Sequence, residues 1–277
     1  MAATEQPSPF LERIVHAKRE ELNASRLRMP QAELEKDLKP RSPGRFRQAL
    51  LRREGAQPDC AVIAEIKKAS PSRGVLCHDF DPAAIALGYR DGGARSLSVL
   101  TDSGFFLGSL DHLKQAKAAS ELPVLRKDFT LGEYHIYEAA VAGADAVLLI
   151  VAILEPVELA RLLSLSHTLG LDALVEVHMA EELQIALDAG SDIIGVNNRD
   201  LKTFEVSLAT SLRLIDGIPD EVVAISESGL RTPEDLQRLR SAGFDAFLIG
   251  ERFMTEKDPG AALKRLLSEV AARASVD

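Results

Sequence analysis

From residue 60 to residue 250 the chain repeats one alternation: a short β-branched apolar run, then a longer stretch with helical signals. The runs are CAVIAEIK (60–67), SLSVL (96–100), PVLRK (123–127), AVLLIV (146–151), DALVEV (172–177), DIIGVN (192–197), EVVAIS (221–226) and AFLIG (246–250). Most are continuously hydrophobic, as parallel strands covered on both faces are. Asp81-Pro82 and Thr232-Pro233-Glu234-Asp235 each set a capping side chain before a proline in a first helical turn. An internal repeat marks every second run: AGADAVLLI (142–150), AGSDIIGVN (189–197) and AGFDAFLIG (242–250), with GGARSLSVL (92–100) as a looser copy. The aligned Gly93, Gly143, Gly190 and Gly243 stand where a helix ends before a tight turn.

Eight βα units fit a closed (β/α)8 TIM barrel. A period of this size also suits a solenoid or propeller. An open doubly wound sheet is the nearest rival, but no GxGxxG follows the first run. The segment before residue 59 is different. Leu11, Ile14, Val15, Lys18 and Leu22 share one helical face, Met29-Pro30 breaks that helix, and two shorter helices around Leu34–Leu38 and Phe46–Leu50 flank a PRSPGR linker. We therefore divide the chain into a helical extension, 1–58, packing on a barrel, 59–277.

Composition narrows the function. The chain has 277 residues, with 42 acidic against 33 basic side chains and a net charge of −9. With a pI near 5.3 and no basic tract it does not read as a nucleic-acid binder, although net charge says little about one pocket. Cys60 and Cys77 cannot form a disulfide framework, and the six histidines show no HxH or HExxH pattern, so a metal site has little support. The N-terminus lacks the form of a signal peptide, and the longest apolar run, 144–154, is too short to span a bilayer. A cytoplasmic, membrane-free protein is expected, with a monomer as the default for a complete barrel.

Barrel chemistry sits at the C-terminal strand ends. There the runs place Glu65 and Lys67 on one face, Lys127-Asp128, Glu176, Asn197-Asn198-Arg199-Asp200, Glu227-Ser228-Gly229 and Gly250-Glu251. Charges collect at strand exits for bland reasons. Lys127 and Glu176, however, lie inside apolar runs, where a charge is costly unless paired or functional. Two lysines and two glutamates at one mouth can act as acid and base, with burial and neighbours expected to lower a lysine's pKa. SESGL (226–230) and LIGER (248–252) offer small residues and backbone N–H groups after the last two strands, where barrels often hold phosphate. The loop Lys68–Gly74 is polar and basic, as a flap over an anionic substrate would be.

In order along the chain, AEIKKASPSRG (64–74), SVLTDSGFFLGSL (98–110), PVLRKDF (123–129), ADAVLLIVAIL (144–154), LVEVH (174–178), IGVNNRDL (194–201), SESGLRTPEDL (226–236) and FLIGERFM (247–254) closely resemble the indole-3-glycerol phosphate synthase family, and LERIVHAKREEL is similar to its extra N-terminal helix. The resemblance implies closure, decarboxylation and dehydration of 1-(2-carboxyphenylamino)-1-deoxyribulose 5-phosphate to indole-3-glycerol phosphate, in tryptophan biosynthesis, without metal or organic cofactor. It also implies roles. Lys127 would be the general acid and Glu176 the general base. Lys67 would pair with a substrate anion and assist later acid chemistry. Glu65 would hold the lysine network and help in dehydration. Asn197 and Arg199 would orient the substrate. Ser228, Gly229, Gly250 and Glu251 would hold the phosphate, Glu251 through its backbone N–H with the side chain turned away. Phe106 and Phe129 would line the anthranilate pocket, and Ser70 would close over it. Two rivals stay open on the residues alone: Lys127 as a Schiff-base lysine, and a regulatory phosphate-binding barrel without turnover.

Overall fold

Each of the eight runs becomes a strand. They are β1 (Ala61–Ile66), β2 (Ser96–Leu100), β3 (Val124–Lys127), β4 (Ala146–Ile150), β5 (Asp172–Val177), β6 (Ile193–Asn197), β7 (Val223–Glu227) and β8 (Ala246–Ile249). Neighbours in sequence are neighbours in space, all parallel, and β8 pairs with β1 with Ala246 opposite Ala61, so the sheet closes into a barrel. That closure excludes the open sheet. The computed structural model describes residues 9–51 and 60–274; the expected boundary between extension and barrel at 58/59 lies outside them.

The helices longer than four residues are α1 (Pro9–Arg28), α2 (Arg45–Leu50), α3 (Pro82–Gly92), α4 (Leu110–Ser120), α5 (Glu133–Ala142), α6 (Pro156–Thr168), α7 (Ala180–Asp188), α8 (Ala209–Leu214), α9 (Pro233–Ala242) and α10 (Pro259–Ala274); single turns stand at Gln31–Leu34, Ser103–Phe106 and Glu251–Met254. Local chemistry sets their ends. Asp81 accepts the N–H groups of Ala83 and Ala84 at 3.0 and 3.1 Å, and Thr232 forms a capping box with Asp235. The repeat glycines all have positive φ, as chain reversal after a helix requires. The Lys68–Gly74 segment is not a plain flap. Ala69–Ser70 pairs antiparallel with Gly74–Val75 as a small hairpin over the barrel.

Strand parity divides the core in two. Val62, Ala64, Leu97, Val99, Val147 and Val175 face the helices. Ala61, Ile63, Leu125, Leu148, Leu174, Ile225 and Leu248 fill the barrel interior. This packed interior supports, at its C-terminal end, the layer that carries the charged residues.

The extension touches both ends of the barrel. Phe46 and Leu50 of α2 are fully buried in the interior cluster and plug its floor. The N–H groups of Phe46 and Arg47 are both accepted by Asp172 Oδ2 at 2.9 Å, which fixes the start of α2. The far end of α1 packs on α5 through Leu22 and Tyr134. Its near end, with Leu11 and Ile14, reaches the mouth. Among the described residues no helix is long and apolar enough to cross a membrane.

Candidate active site

A cavity of about 540 Å³ opens at the C-terminal ends of the strands, and all thirteen residues singled out from the sequence line it. Glu65, Lys127, Glu176, Asn197 and Gly250 are inward positions at or just past the strand ends, above the apolar layer.

At its base Lys127 Nζ stands between two carboxylates, 2.8 Å from Glu176 Oε2 and 2.7 Å from Glu227 Oε2. Asn197 Nδ2 donates to Glu176 Oε1 at 3.1 Å, and Lys67 Nζ meets Glu65 Oε1 at 2.5 Å. Two bare backbones make room. A Cβ on Gly195 would fall 2.1 Å from Glu227 Oε1, and one on Gly250 would fall 2.2 Å from Glu65 Oε1. Glycine there is a requirement of space.

Glu227 stands among the strand-end residues read from the sequence, but neither the apolar runs nor the resemblance assigns it a role; the structure makes it the last residue of β7 and turns it inward beside Lys127. The parity that places Glu65 inward on β1 does the same for Glu227. Asn198 is the second residue at a strand end to which the sequence assigns no role. Its Nδ2 donates to Ser226 Oγ and to the carbonyls of Glu227 and Ser228, at 3.0, 2.9 and 3.2 Å. It thereby holds Ser228 and Gly229 in left-handed conformations, φ 67° and 80°. A serine at positive φ is a strained element kept by its surroundings.

The electrostatics depart from expectation at Lys127. Burial alone would lower its pKa, but Glu176, Glu227 and Glu65 reverse this and hold the ammonium above its ordinary range. Burial would raise Glu176, but Lys127 and His178 hold it well below the usual carboxylate range. Glu227 is pushed up to about 7 by burial, against the pull of Lys127 and with the help of Glu176. Its Oε1, against the Gly195 backbone, has no hydrogen-bond partner among the described residues, which disfavours the ionised form. His178 rises to about 10: burial lowers it, but hydrogen bonds and charges from Glu176 and Glu182 prevail.

At the rim the Glu251 side chain does not turn away from the site. Its carboxylate bridges Arg73 Nε at 3.0 Å and Arg199 Nη2 at 3.8 Å, because two cations flank it there. In the short helix Glu251–Met254 the N–H groups of Phe253 and Met254 donate to the Gly250 carbonyl at 2.9 and 3.0 Å, which leaves those of Glu251 and Arg252 without an acceptor in that turn, in residues that line the cavity together with Ser228 and Gly229. On the other wall Phe106 and Phe129 lie with ring centroids 6.3 Å apart. The site thus has an apolar wall, a lysine–glutamate base and an anion-accepting rim.

A family model described as indole-3-glycerol phosphate synthase matches residues 11–266. The chain belongs to the indole-3-glycerol phosphate synthase family. It is 49% identical over 262 residues to the indole-3-glycerol phosphate synthase of Polaromonas naphthalenivorans (strain CJ2), with 95% of this chain and 100% of that one covered. With that of Albidiferax ferrireducens identity is 50% over 259 residues, covering 94% and 98%. Among solved structures, 3-hexulose-6-phosphate synthase from Salmonella typhimurium superposes with a TM-score of 0.59 at 13% identity, over 77% of this chain and 99% of that one. That likeness speaks to the fold alone. Family membership makes the chain a carboxy-lyase of tryptophan biosynthesis acting on a phosphorylated small molecule.

Proposed function

We propose that the lysine–glutamate array at the barrel mouth performs the family's ring closure by acid–base catalysis, with the roles the resemblance implied. The observation that carries this reading is Lys127 held between Glu176 and Glu227 at the base of the cavity. The substrate carries a carboxylate and a phosphate. Ser228, Gly229 and the backbone N–H groups at Gly250-Glu251 take the phosphate, and Lys67, Asn197 and Arg199 orient the carboxylate end. Phe106 and Phe129 take the aromatic ring, and Ser70, buried in the hairpin, closes over it.

The ring carbon bearing the carboxylate attacks the ketone carbon, and Lys127 gives its proton to the ketone oxygen. Carbon dioxide then leaves, restoring the aromatic ring electrons. The new hydroxyl departs as water, protonated with help from Lys67 and Glu65, while Glu176 accepts the proton lost in forming the indole. Lys127 arrives charged and Glu176 ionised, the states this division of labour needs. An ammonium held by two carboxylates is a poor nucleophile, so the same geometry speaks against a Schiff base. No disulfide joins Cys60 and Cys77, which suits a reducing cytoplasm, and we take the working unit as a monomer.

The test is direct. The purified protein is given the carboxyphenylamino-deoxyribulose phosphate and indole fluorescence is followed. Lys127→Met and Glu176→Gln should each lower turnover about 10²–10⁴-fold while substrate binding largely remains. Turnover close to wild type in either variant overturns the assigned roles, and a borohydride-trapped adduct would restore the Schiff-base reading.

A further inference from the structure

The apolar face of α1 carries a lysine that is almost wholly buried. Lys18, between the buried Ile14 and Leu22, is 1% exposed. Burying an ammonium costs several kcal/mol unless its partners are well placed. Here Nζ lies 2.8 Å from Asp102 Oδ2, 2.9 Å from Asp128 Oδ1 and 2.9 Å from Glu21 Oε2. Burial would lower its pKa, but Asp128 and Asp102 hold it above its ordinary value, so the head stays charged.

The two aspartates come from different loops, and each also fastens part of the active-site wall. Asp102 follows β2; its Oδ1 accepts the Phe105 N–H at 2.6 Å and so caps the short helix Ser103–Phe106 that delivers Phe106. Asp128 follows Lys127 itself. Its Oδ1 accepts the Phe129 N–H at 2.8 Å, and its Oδ2 accepts the Thr101 hydroxyl at 2.6 Å and faces Arg126 Nη2 at 3.3 Å. One nitrogen on the extension therefore joins the supports of Phe106, Phe129 and Lys127. The same helix reinforces the junction: Phe10 packs on Phe105 with centroids 6.1 Å apart.

A buried ion pair is weak evidence for stability, since an apolar side chain of similar size often serves as well. Directional contact with two separate loops is what an apolar residue cannot supply. Without the ammonium, Asp102 and the Oδ1 edge of Asp128 lose the cation they share, and only one cation, Arg126 on the Oδ2 side of Asp128, remains to hold one of the two loops.

We propose that Lys18 is a positioning residue for the cyclisation, locking the loops after β2 and β3 so that the ring-binding wall stays in register with Lys127. This rests on the catalytic reading given above. The loops can be observed independently of turnover. Hydrogen exchange on the full chain should show faster exchange at 102–106 and 128–131 in Lys18→Met, with 226–230 unchanged. Well below the unfolding midpoint, KM for the carboxyphenylamino-deoxyribulose phosphate should rise roughly 10–100-fold. The affinity for inorganic phosphate should not move, and Lys18→Arg should recover part of the loss. Asp102→Asn, which keeps the cap acceptor but removes one charge, should shift both readouts the same way by less, and it serves if Lys18→Met does not fold. Unchanged exchange in both loops, or a lowered melting temperature with KM and kcat within twofold of wild type, overturns the proposal. Absence of turnover in the wild type would instead strike at the catalytic reading and leave the exchange result standing.

Discussion

At the floor of the barrel, Asp172 accepts two backbone N–H groups at 2.9 Å, while Asp145 and Asp245 accept those of Val124 and Ala224 at 2.8 and 2.9 Å. At the mouth, Glu65, Glu176 and Glu227 are held by the side chains of Lys67, Lys127 and Asn197. The donors differ: every floor aspartate accepts a backbone N–H, Asp145 also taking the Lys117 and Arg45 side chains, whereas the mouth glutamates rest on side chains. A backbone N–H in a helix or strand cannot leave without local unfolding, so the floor acids are fixed parts of the fold. Side-chain donors can be exchanged for substrate atoms, so the mouth acids can change partner and protonation state. The floor is sealed by Phe46 and Leu50, whereas the mouth opens on the cavity.

This contrast can be broken at either end. The largest effect is expected at the floor. Phe46→Ala removes a fully buried ring and should lower unfolding free energy by about 3–5 kcal/mol, read by urea denaturation. The folded variant should keep its kcat/KM within a factor of about two at 25 °C, and a tenfold loss would show that the two ends are not independent.

Next in size is a pH effect at the mouth. In the folded protein Glu227 holds its proton up to about 7, against an ordinary value of 4.5, so the contribution of this one group to stability is lost as pH rises between those values. Glu227→Gln has no such proton. Its stability relative to wild type should therefore climb from pH 4 to pH 8 by on the order of 3 kcal/mol. A flat difference across that range would mean that Glu227 titrates like an exposed carboxylate.

The smallest change tests spacing alone. Gly195→Ala pushes a methyl toward Glu227 Oε1 and, at 2.9 Å, toward Leu174 Cδ1. Turnover should fall roughly 10–100-fold with a smaller loss of stability than Phe46→Ala. Normal turnover would show that the carboxylate's place is not critical.

Much of this was legible in the sequence because a parallel barrel writes its strands as plain apolar runs. Glu65 and Lys67 followed from alternation along β1, and Glu176 and Lys127 from being charges inside apolar runs. What escaped depended on one-residue boundaries or on packing between distant segments. Glu227 is visible at the exit of the seventh run, but its partnership with Lys127 across the barrel is not. Lys18 sat on the apolar face of α1, but its partners are Asp102 and Asp128, and no local pattern joins residues so far apart. The sign at Lys127 escaped for a related reason: burial, which lowers a lysine, was foreseen, while the number of carboxylates facing it depends on three other strands.

The extension precedes every strand, yet it is fastened to residues made much later. The bond from Phe46 to Asp172 spans 126 residues, and Lys18 needs both Asp102 and Asp128. During synthesis its apolar helical faces emerge before the barrel: α1 has its partners only once α5 is made, and α2 gains its Asp172 anchor only with β5. Contacts of such long separation form slowly because loop closure precedes their reward. Loop-closure cost therefore weighs against early docking of the extension, and the Lys18 contacts to the active-site loops exist only once the extension has returned to them.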